Sequence, residues 1–372
     1  MPNNQWTTYW SRAQRGLGLI PTPCLKHQHM TLKAIPQSHM LRLRFAAFYE
    51  TQPIEITNVY LSDSHNHYCL FFQGQEKVTL KPQDACWSDG IDIHEMDQSE
   101  LRLDYDIVVS PDYHFVSGFE RMDYDVFKEA PQQIYALNSI ELQGSLKGCL
   151  CVFGDSIVEQ GNYTRILQEK AMEKGYSLIN LGLSGNRLLR QIECVDLQDT
   201  DNPEITQVLT QKVYQNISID KQCFGISGLS RFVKEAKECH RVCQYIVAIG
   251  VNDLYQPGTF CALMSELPTL EDMQKGYMTL SKMIQDIPTL WCEITPFINN
   301  PHCTKEKEER RQQINLWLNQ TMNQTVCFDN LTKEDMNEDG LHPSLLGGKK
   351  MAKEIEKCLN SLQWNLQEKL FA

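Results

Sequence analysis

The sequence predicts two domains of different fold class: an all-β sandwich or jelly roll in residues 1–145, and an α/β doubly wound sheet of five parallel strands in residues 146–372. Two observations support this prediction. In the first part, hydrophobic and polar residues alternate with a period of two, which is typical of half-buried strands. In the second part, short hydrophobic runs alternate with longer helical segments, which is typical of a parallel sheet covered by helices.

The first 145 residues contain several short strand-like segments. Residues 40–45 and 54–61 show the clearest alternation of hydrophobic and polar side chains. Further segments with strand character follow at short spacing, separated by Gly, Pro, Asn and Asp: 68–72, 77–80, 90–93 and 101–109. Many short strands separated by turn residues favour a sandwich or jelly roll. Residues 119–144 are mixed and polar, so the predicted domain junction lies near residue 145.

In the remainder of the chain, strand-like segments alternate with helical segments. The predicted parallel strands are 150–153, 177–181, 245–250, 290–294 and 326–328. The predicted helices are 163–174, 231–242, 271–285, 305–321 and 345–359. Because the carboxyl ends of parallel strands meet at one edge of a sheet, we expect reactive side chains in the turns that follow these strands.

A serine follows the first of these strands, in the turn Gly154-Asp155-Ser156. A serine hydroxyl is a poor nucleophile, so attack requires a neighbouring histidine as general base and a third group that orients the histidine. Ser156 is the candidate nucleophile, and the alternative for it is a helix N-cap. We expect Asp155 to shape the turn rather than to take part in the chemistry.

Three histidines follow Ser156 in the chain: His240, His302 and His342. Only His342 has an acidic residue at short spacing in a turn, because Asp339 precedes it by three positions. This pattern predicts that His342 is the general base and that Asp339 orients it. The alternative for His342 is an ordinary surface histidine.

Two more turns follow strand-like runs and carry candidate hydrogen-bond donors. Acyl transfer passes through a tetrahedral oxyanion that fixed donors stabilise. The backbone N–H groups of Ser156 and Gly185 and the side-chain amide of Asn252 are predicted to supply such an oxyanion hole. For Gly185 and Asn252 the alternative is an ordinary turn residue. Arg187 and Tyr255 lie close to these turns and are candidate substrate-binding residues, with ion pairing and loop packing as their alternatives.

These segments, in this order, resemble the SGNH hydrolase family, also called the GDSL esterases, lipases or acylhydrolases. The four residues that give the family its name would be Ser156, Gly185, Asn252 and His342. The resemblance covers about residues 148–360. It implies a flavodoxin-like strand order, a serine nucleophile with a catalytic triad and an oxyanion hole, and no cofactor.

Two details refine the resemblance. Residues 224–232 look like a segment found in two-domain members that carry an amino-terminal β domain. Ile157 stands where the name GDSL expects leucine, and both residues are hydrophobic.

The sequence therefore predicts a serine esterase that hydrolyses short-chain carboxylic esters through an acyl-enzyme, with O-acetyl groups on carbohydrates as one substrate class. An acyltransferase that uses the same triad is one alternative. A non-catalytic carbohydrate-binding protein is another. The acyl chain length, the alcohol and the oligomeric state are left open by the sequence.

Composition and charge limit the classes of binding partner that the protein is expected to have. The formal net charge of −12 and the absence of a large Lys/Arg cluster argue against nucleic acid and against anionic membranes. No hydrophobic run approaches the roughly 18–20 residues needed to span a bilayer, and the first residues lack the pattern of a secretory signal. We therefore expect a cytoplasmic enzyme with reduced thiols. Cys239 and Cys243 flank His240, but their spacing favours helix packing, and no metal is expected.

Overall fold

The computed structural model describes residues 5–17, 27–110, 113, 116–191, 221–259 and 261–361. The chain forms two compact units. The first consists of residues 1–149, 175–179 and 239–241, and the second consists of residues 150–174, 180–238 and 242–372. The division at residue 145 into two separately folding domains stays a prediction. None of the helices in the described ranges is long and hydrophobic enough to cross a membrane.

The first unit is built from antiparallel strands, which confirms the predicted β architecture. Its described strands are β1 Thr7–Ser11, β2 Arg15–Gly16, β3 His27–Leu32, β4 Ser38–Ala46, β5 Ile54–Ser62, β6 His67–Cys69, β7 Lys77–Leu80, β8 Ala85–Trp87, β9 Ile91–Asp92, β10 Arg102–Val108, β11 Ser117–Glu120, β12 Phe127–Glu129, β13 Gln133–Tyr135 and β14 Leu137–Gly144. One sheet has the order β1-β14-β4-β8, with β9 also paired to β4. A second has the order β12-β3-β10-β5-β6, with β7 paired to β5, and a third has the order β13-β11-β2.

The core of this unit lies between its two larger sheets. Leu43 and Phe45 of β4 and Leu103 and Tyr105 of β10 are fully buried. The rings of Phe45 and Tyr105 meet edge to face, with their centroids 5.1 Å apart. Since side chains two positions apart on a strand share one face, the alternation seen in the sequence buries one face of each sheet.

Strand β14 departs from the prediction, because residues 119–144 were expected to be a polar junction. Instead β14 is an interior strand that pairs with β1 on one side and β4 on the other. Most of its polar side chains are buried, but they have partners: Asn138 Oδ1 accepts from Arg44 (3.0 Å), and the fully buried Glu141 accepts from Arg42 (2.6 Å). Because polar residues with hydrogen-bond partners occupy these interior positions, the sequence of β14 lacks the hydrophobic pattern by which an interior strand is recognised.

The second unit contains three whole strands and the carboxyl-terminal ends of two more strands of a five-stranded sheet. This sheet has a doubly wound order. Its strands are β15 Gly148–Gly154, β16 Tyr176–Gly182, β17 Val242–Ala248, β18 Thr289–Cys292 and β19 Thr325–Val326, in the order β16-β15-β17-β18-β19. The pairs β17–β18 and β18–β19 are parallel. This is the flavodoxin-like order that the family resemblance implies, with β15 next to the point where the order reverses. The predicted α/β class is confirmed.

The described helices are α1 Ser156–Glu159, α2 Thr164–Glu173, α3 Gly228–Lys234, α4 Val251–Tyr255, α5 Leu270–Ile284, α6 Lys305–Thr321 and α7 Leu345–Ser361. Four of the five predicted helices agree with these bounds within two residues. The predicted helix 231–242 is wrong: α3 begins earlier because Ser227 Oγ accepts from the N–H of Ser230 at its start. It cannot reach residue 242 because Arg241 has a φ of 58°, and β17 then begins.

A buried hydrogen bond in the core of the first unit can be tested by substitution. Tyr105 is fully buried, and its hydroxyl donates to the carbonyl of Tyr135 at 2.6 Å. We expect Tyr105→Phe to lower the free energy of unfolding by about 1–2 kcal/mol, because a buried carbonyl loses its donor. Urea unfolding measures this change. Tyr68→Phe is the matched control because Tyr68 is 37% exposed, and an equal loss in both variants would contradict the assignment.

Candidate active site

Ser156 follows β15, an interior strand of the sheet, in a sharp strand-to-helix turn. Asp155 is the N-cap of α1, and its Oδ1 accepts from the N–H of Ile157 at 3.0 Å. Ser156 is the first residue of the helix and is 6% exposed. Asp155 therefore has a structural role, because its carboxylate caps the helix and holds the turn that carries Ser156.

Asp339, His342 and Ser156 form a chain of hydrogen bonds. His342 Nε2 lies 2.8 Å from Ser156 Oγ, and His342 Nδ1 lies 2.6 Å from Asp339 Oδ2. The other carboxylate oxygen, Asp339 Oδ1, accepts from the backbone N–H groups of His342 (3.0 Å) and Leu341 (2.9 Å). The three side chains that the sequence singled out are thus within hydrogen-bond reach of one another.

The environment of Asp339 favours its ionised form. Partial burial alone would raise its pKa, but hydrogen bonds from the backbone and ring of His342 and from the N–H of Leu341 lower the pKa below its ordinary value. An ionised carboxylate accepts from Nδ1–H, so the Nε2 atom that faces Ser156 is left as the proton acceptor.

The loop that carries Asp339 and His342 is held against residues that follow β18. Ile298 N–H donates to the carbonyl of Gly340 (2.7 Å), and Asn300 Nδ2 donates to the carbonyl of Asp339 (2.7 Å). Gly340 has a φ of 64°, and a Cβ there would lie 2.0 Å from the Ile298 oxygen. Only glycine fits this close approach. Asn300 had no recognisable signal in the sequence, because its contact with Asp339 spans 39 positions.

The predicted oxyanion donors follow three neighbouring strands. Gly185 has a φ of 73°, and a Cβ at this residue would lie 2.0 Å from the Phe224 ring. Asn252 is 4% exposed, and its Nδ2 donates one hydrogen to the carbonyl of Asn186 (3.1 Å). Within the described residues, no acceptor pairs with the N–H of Ser156, the N–H of Gly185 or the second Nδ2 hydrogen of Asn252. Three donors are therefore available on these turns.

The two candidate substrate-binding residues differ in position. Arg187 is only 1% exposed, and its Nη1 donates to Glu266 at 2.7 Å. This ion pair is the alternative that the sequence left open for Arg187, and a role in substrate binding stays a prediction. Tyr255 is partly exposed, with its ring centroid 5.7 Å from that of His302, and the N–H of His302 donates to the Asn300 side chain that also holds the Asp339 loop.

Two further buried carboxyl groups lie beneath the site. Burial raises the pKa of Asp155 to about 7, against the opposing hydrogen bond from Ile157; the charge of Asp253 adds to the rise and that of Arg231 opposes it. Burial also raises the pKa of Asp253, although Arg187 and the N–H groups of Leu188 and Leu189 act to lower it. Arg231, which the sequence analysis did not single out, is therefore a counter-charge close to the nucleophile turn.

One group in the described ranges has the composition of a metal site. Ligand atoms of Glu293, Cys327 and Asp329 lie within 4.8 Å of one another, after strands β18 and β19. Asp329 is already paired with Arg311 at 2.9 Å. The group contains none of the residues of the Ser156–His342–Asp339 chain.

The raised pKa of Asp155 predicts how stability changes with pH. The folded protein holds this proton up to about pH 7, whereas the unfolded chain releases it near pH 4, so this group makes stability fall as pH rises between those values. The limiting slope for one group is about 1.4 kcal/mol per pH unit. We expect Asp155→Asn to remove this contribution, as measured by urea unfolding at pH 4.5, 5.5, 6.5 and 7.5. Asp286→Asn, at an exposed position, is the control, and a slope in Asp155→Asn equal to that of wild type would refute the expectation.

Comparisons with known proteins identify the family. Residues 150–355, more than half of the chain, match the GDSL-like Lipase/Acylhydrolase family. Comparison with curated protein sequences gives no match.

Several solved structures are similar to the chain. A lipase/acylhydrolase from Enterococcus faecalis shares 14% identity with a TM-score of 0.41, covering 57% of this chain and 96% of that one. A carbohydrate acetylesterase family member from Sinorhizobium meliloti shares 12% identity with a TM-score of 0.41, covering 57% and 98%. A protein from Bacteroides ovatus described as a GDSL-like lipase shares 13% identity with a TM-score of 0.35, covering 90% and 83%. On the match over residues 150–355, the chain belongs to the GDSL-like lipase/acylhydrolase family and is a carboxylic ester hydrolase.

Proposed function

We propose that the enzyme hydrolyses short-chain carboxylic esters, including O-acetyl groups on carbohydrates, with Ser156 as nucleophile, His342 as general base and acid, and Asp339 as the group that orients His342. The observation that carries this proposal is the chain of hydrogen bonds from Asp339 through His342 to Ser156, with distances of 2.6 and 2.8 Å. These distances lie in the range that proton transfer requires.

The reaction takes place in two halves. In the first, Ser156 Oγ attacks the ester carbonyl while His342 Nε2 takes its proton, and the resulting imidazolium is stabilised by Asp339. His342 then gives the proton to the leaving alcohol, and an acyl group remains on Ser156. In the second half, His342 takes a proton from the water that attacks the acyl-enzyme. The bond between the acyl group and Ser156 Oγ then breaks, His342 gives the proton back to Ser156, and the acid is released.

An oxyanion forms in both halves and requires donors. The N–H of Ser156, the N–H of Gly185 and the unpaired Nδ2 hydrogen of Asn252 are the donors that we propose. The position of Ser156 at the first residue of α1 supports this role, because the N–H groups at a helix start have no acceptor within the helix.

A small acyl group fits the surroundings of the nucleophile. Ser156 is 6% exposed and Asn252 is 4% exposed, so little of either residue is accessible. Low exposure of these two residues favours an acetyl group over a long acyl chain. Tyr255 and His302, whose ring centroids lie 5.7 Å apart, are candidates for contact with the substrate because His302 N–H donates to Asn300, which also holds the Asp339 loop.

Hydrolysis of p-nitrophenyl acetate, butyrate and octanoate tests the proposed function. We expect kcat/KM to fall with chain length, and Ser156→Ala to lower kcat by roughly 10³-fold or more. Ser230→Ala is the matched control because Ser230 is an exposed serine on α3, and it should retain wild-type rates. Equal activity in wild type and Ser156→Ala would exclude Ser156 as the nucleophile.

Product analysis with acetylated xylo-oligosaccharide, in the presence and absence of an added alcohol, tests the substrate class. We expect acetate as the main product in both cases. Transfer of most acetyl groups to the alcohol would instead identify an acyltransferase, and sugar binding without turnover would identify a binding protein.

The proposed oxyanion donor Asn252 has a separate test. We expect Asn252→Ala to lower kcat by about 10²- to 10³-fold with little change in KM, because its amide acts on charge that develops only in the transition state. Steady-state kinetics with p-nitrophenyl acetate measures both constants. Asn319→Ala, which removes an amide bound to Glu293, is the control. A change confined to KM in Asn252→Ala would contradict the role.

A further inference from the structure

We infer that Arg231 is a positioning residue whose guanidinium sets the relative placement of the turns that carry the oxyanion donors. The inference rests on the proposed function, since it concerns the same donors. The reason is that this one buried side chain contacts the segments around both Ser156 and Gly185 and is linked through a second residue to Asn252.

The guanidinium of Arg231 is almost fully enclosed. The residue is 1% exposed, and its Cζ lies 4.3 Å from the centroid of the Phe153 ring. Its charge is paired with Glu235, also buried, at 2.8 Å. A desolvated charge of this kind is stable only with several hydrogen bonds in good geometry. The remaining donors of Arg231 supply these bonds.

Two of these bonds end on strand carbonyls next to the proposed site. Arg231 Nη2 donates to the carbonyl of Gly154 at 2.7 Å, two positions before Ser156. Arg231 Nη1 donates to the carbonyl of Leu181 at 2.9 Å, near the end of β16 and four positions before Gly185. The planar guanidinium therefore connects the ends of the adjacent strands β15 and β16.

A third bond reaches the residue that follows Gly185. Arg231 Nε donates to Asn186 Oδ1 at 3.1 Å, and Asn186 Nδ2 donates to the carbonyls of Phe224 and Ile226, both at 2.8 Å. The carbonyl of Asn186 in turn accepts from Asn252 Nδ2 at 3.1 Å. Arg231 thus holds Asn186 directly and Asn252 through it.

Lysine cannot reproduce this arrangement. A guanidinium offers five donors in a fixed plane, whereas an ammonium offers three donors from a single point on a flexible stem. A lysine at this position would keep the charge next to Glu235, but it would not span the carbonyls of Gly154 and Leu181 and the amide of Asn186 together. Small displacements of oxyanion donors lower the stabilisation of the transition state more than the binding of substrate.

The main test compares Arg231→Lys with Arg311→Lys. Arg311 is a matched control because it lies in the same unit, is 4% exposed, and binds Glu308, Asp329 and the carbonyl of Ile294, none of which carries a proposed oxyanion donor. With p-nitrophenyl acetate, we expect Arg231→Lys to lower kcat by about 10- to 100-fold with KM changed less than about 3-fold. Arg311→Lys should lower the melting temperature while leaving kcat within about 3-fold of wild type.

An inhibitor that forms an oxyanion separates positioning from general destabilisation. A trifluoromethyl ketone adds to the serine and forms a hemiketal oxyanion, so its Ki should rise in Arg231→Lys by about the factor by which kcat/KM falls. Unchanged kcat and Ki in a folded Arg231→Lys would overturn the inference, as would equal losses of kcat in both arginine variants.

A second variant covers the case in which Arg231→Lys does not fold. Asn186→Ala removes the side chain through which Arg231 holds the Gly185 turn but keeps the backbone carbonyl that binds Asn252. We expect the same loss of kcat and rise in Ki, and wild-type values in this variant would overturn the inference. Failure of the proposed function is recognised separately, because Ser156→Ala would then be as active as wild type.

Discussion

The hydrogen bond between Ser156 Oγ and His342 Nε2 joins residues 186 positions apart, and the proposed chemistry depends on it. The contact would be lost if either residue moved far, and both residues are held in place by their neighbours. Ser156 is fixed by the end of β15 and by the Asp155 cap, and His342 is fixed by the loop that Ile298 and Asn300 hold. The doubly wound strand order makes this possible, because it brings the carboxyl ends of distant strands to one edge.

Buried charge is the second constraint on the proposed site. Asp155 and Asp253 lie in the turns that carry Ser156 and Asn252, and both carboxyl groups are almost fully buried. Arg231 opposes the shift of Asp155, and Arg187 opposes that of Asp253, while each arginine also has its own glutamate partner. The interior beneath the nucleophile therefore contains buried ionisable groups that act on one another, and loss of Arg231 would leave the buried Glu235 without its partner.

Short-range patterns in the sequence predicted the α/β class and singled out Ser156, Asp339 and His342, whereas the strand order was implied by the resemblance to the family. Hydrophobic runs mark the strands, and a few consecutive letters mark each turn. The contacts of Arg231 and Asn300 could not be predicted, because they connect residues 77 and 39 positions apart and leave no local pattern. The ion pair of Arg187 with Glu266, 79 positions away, leaves no local pattern for the same reason.

The polar strand β14 has a consequence for the sheet as a whole. Side chains alternate between the two faces of a strand, so a shift of pairing by one residue would carry Glu141 away from Arg42 and Thr8 to the opposite face. A mispaired sheet would then bury a carboxylate without partners, at a cost of several kcal/mol. The buried polar side chains of β14 thus favour a single register of its pairing with β1 and β4.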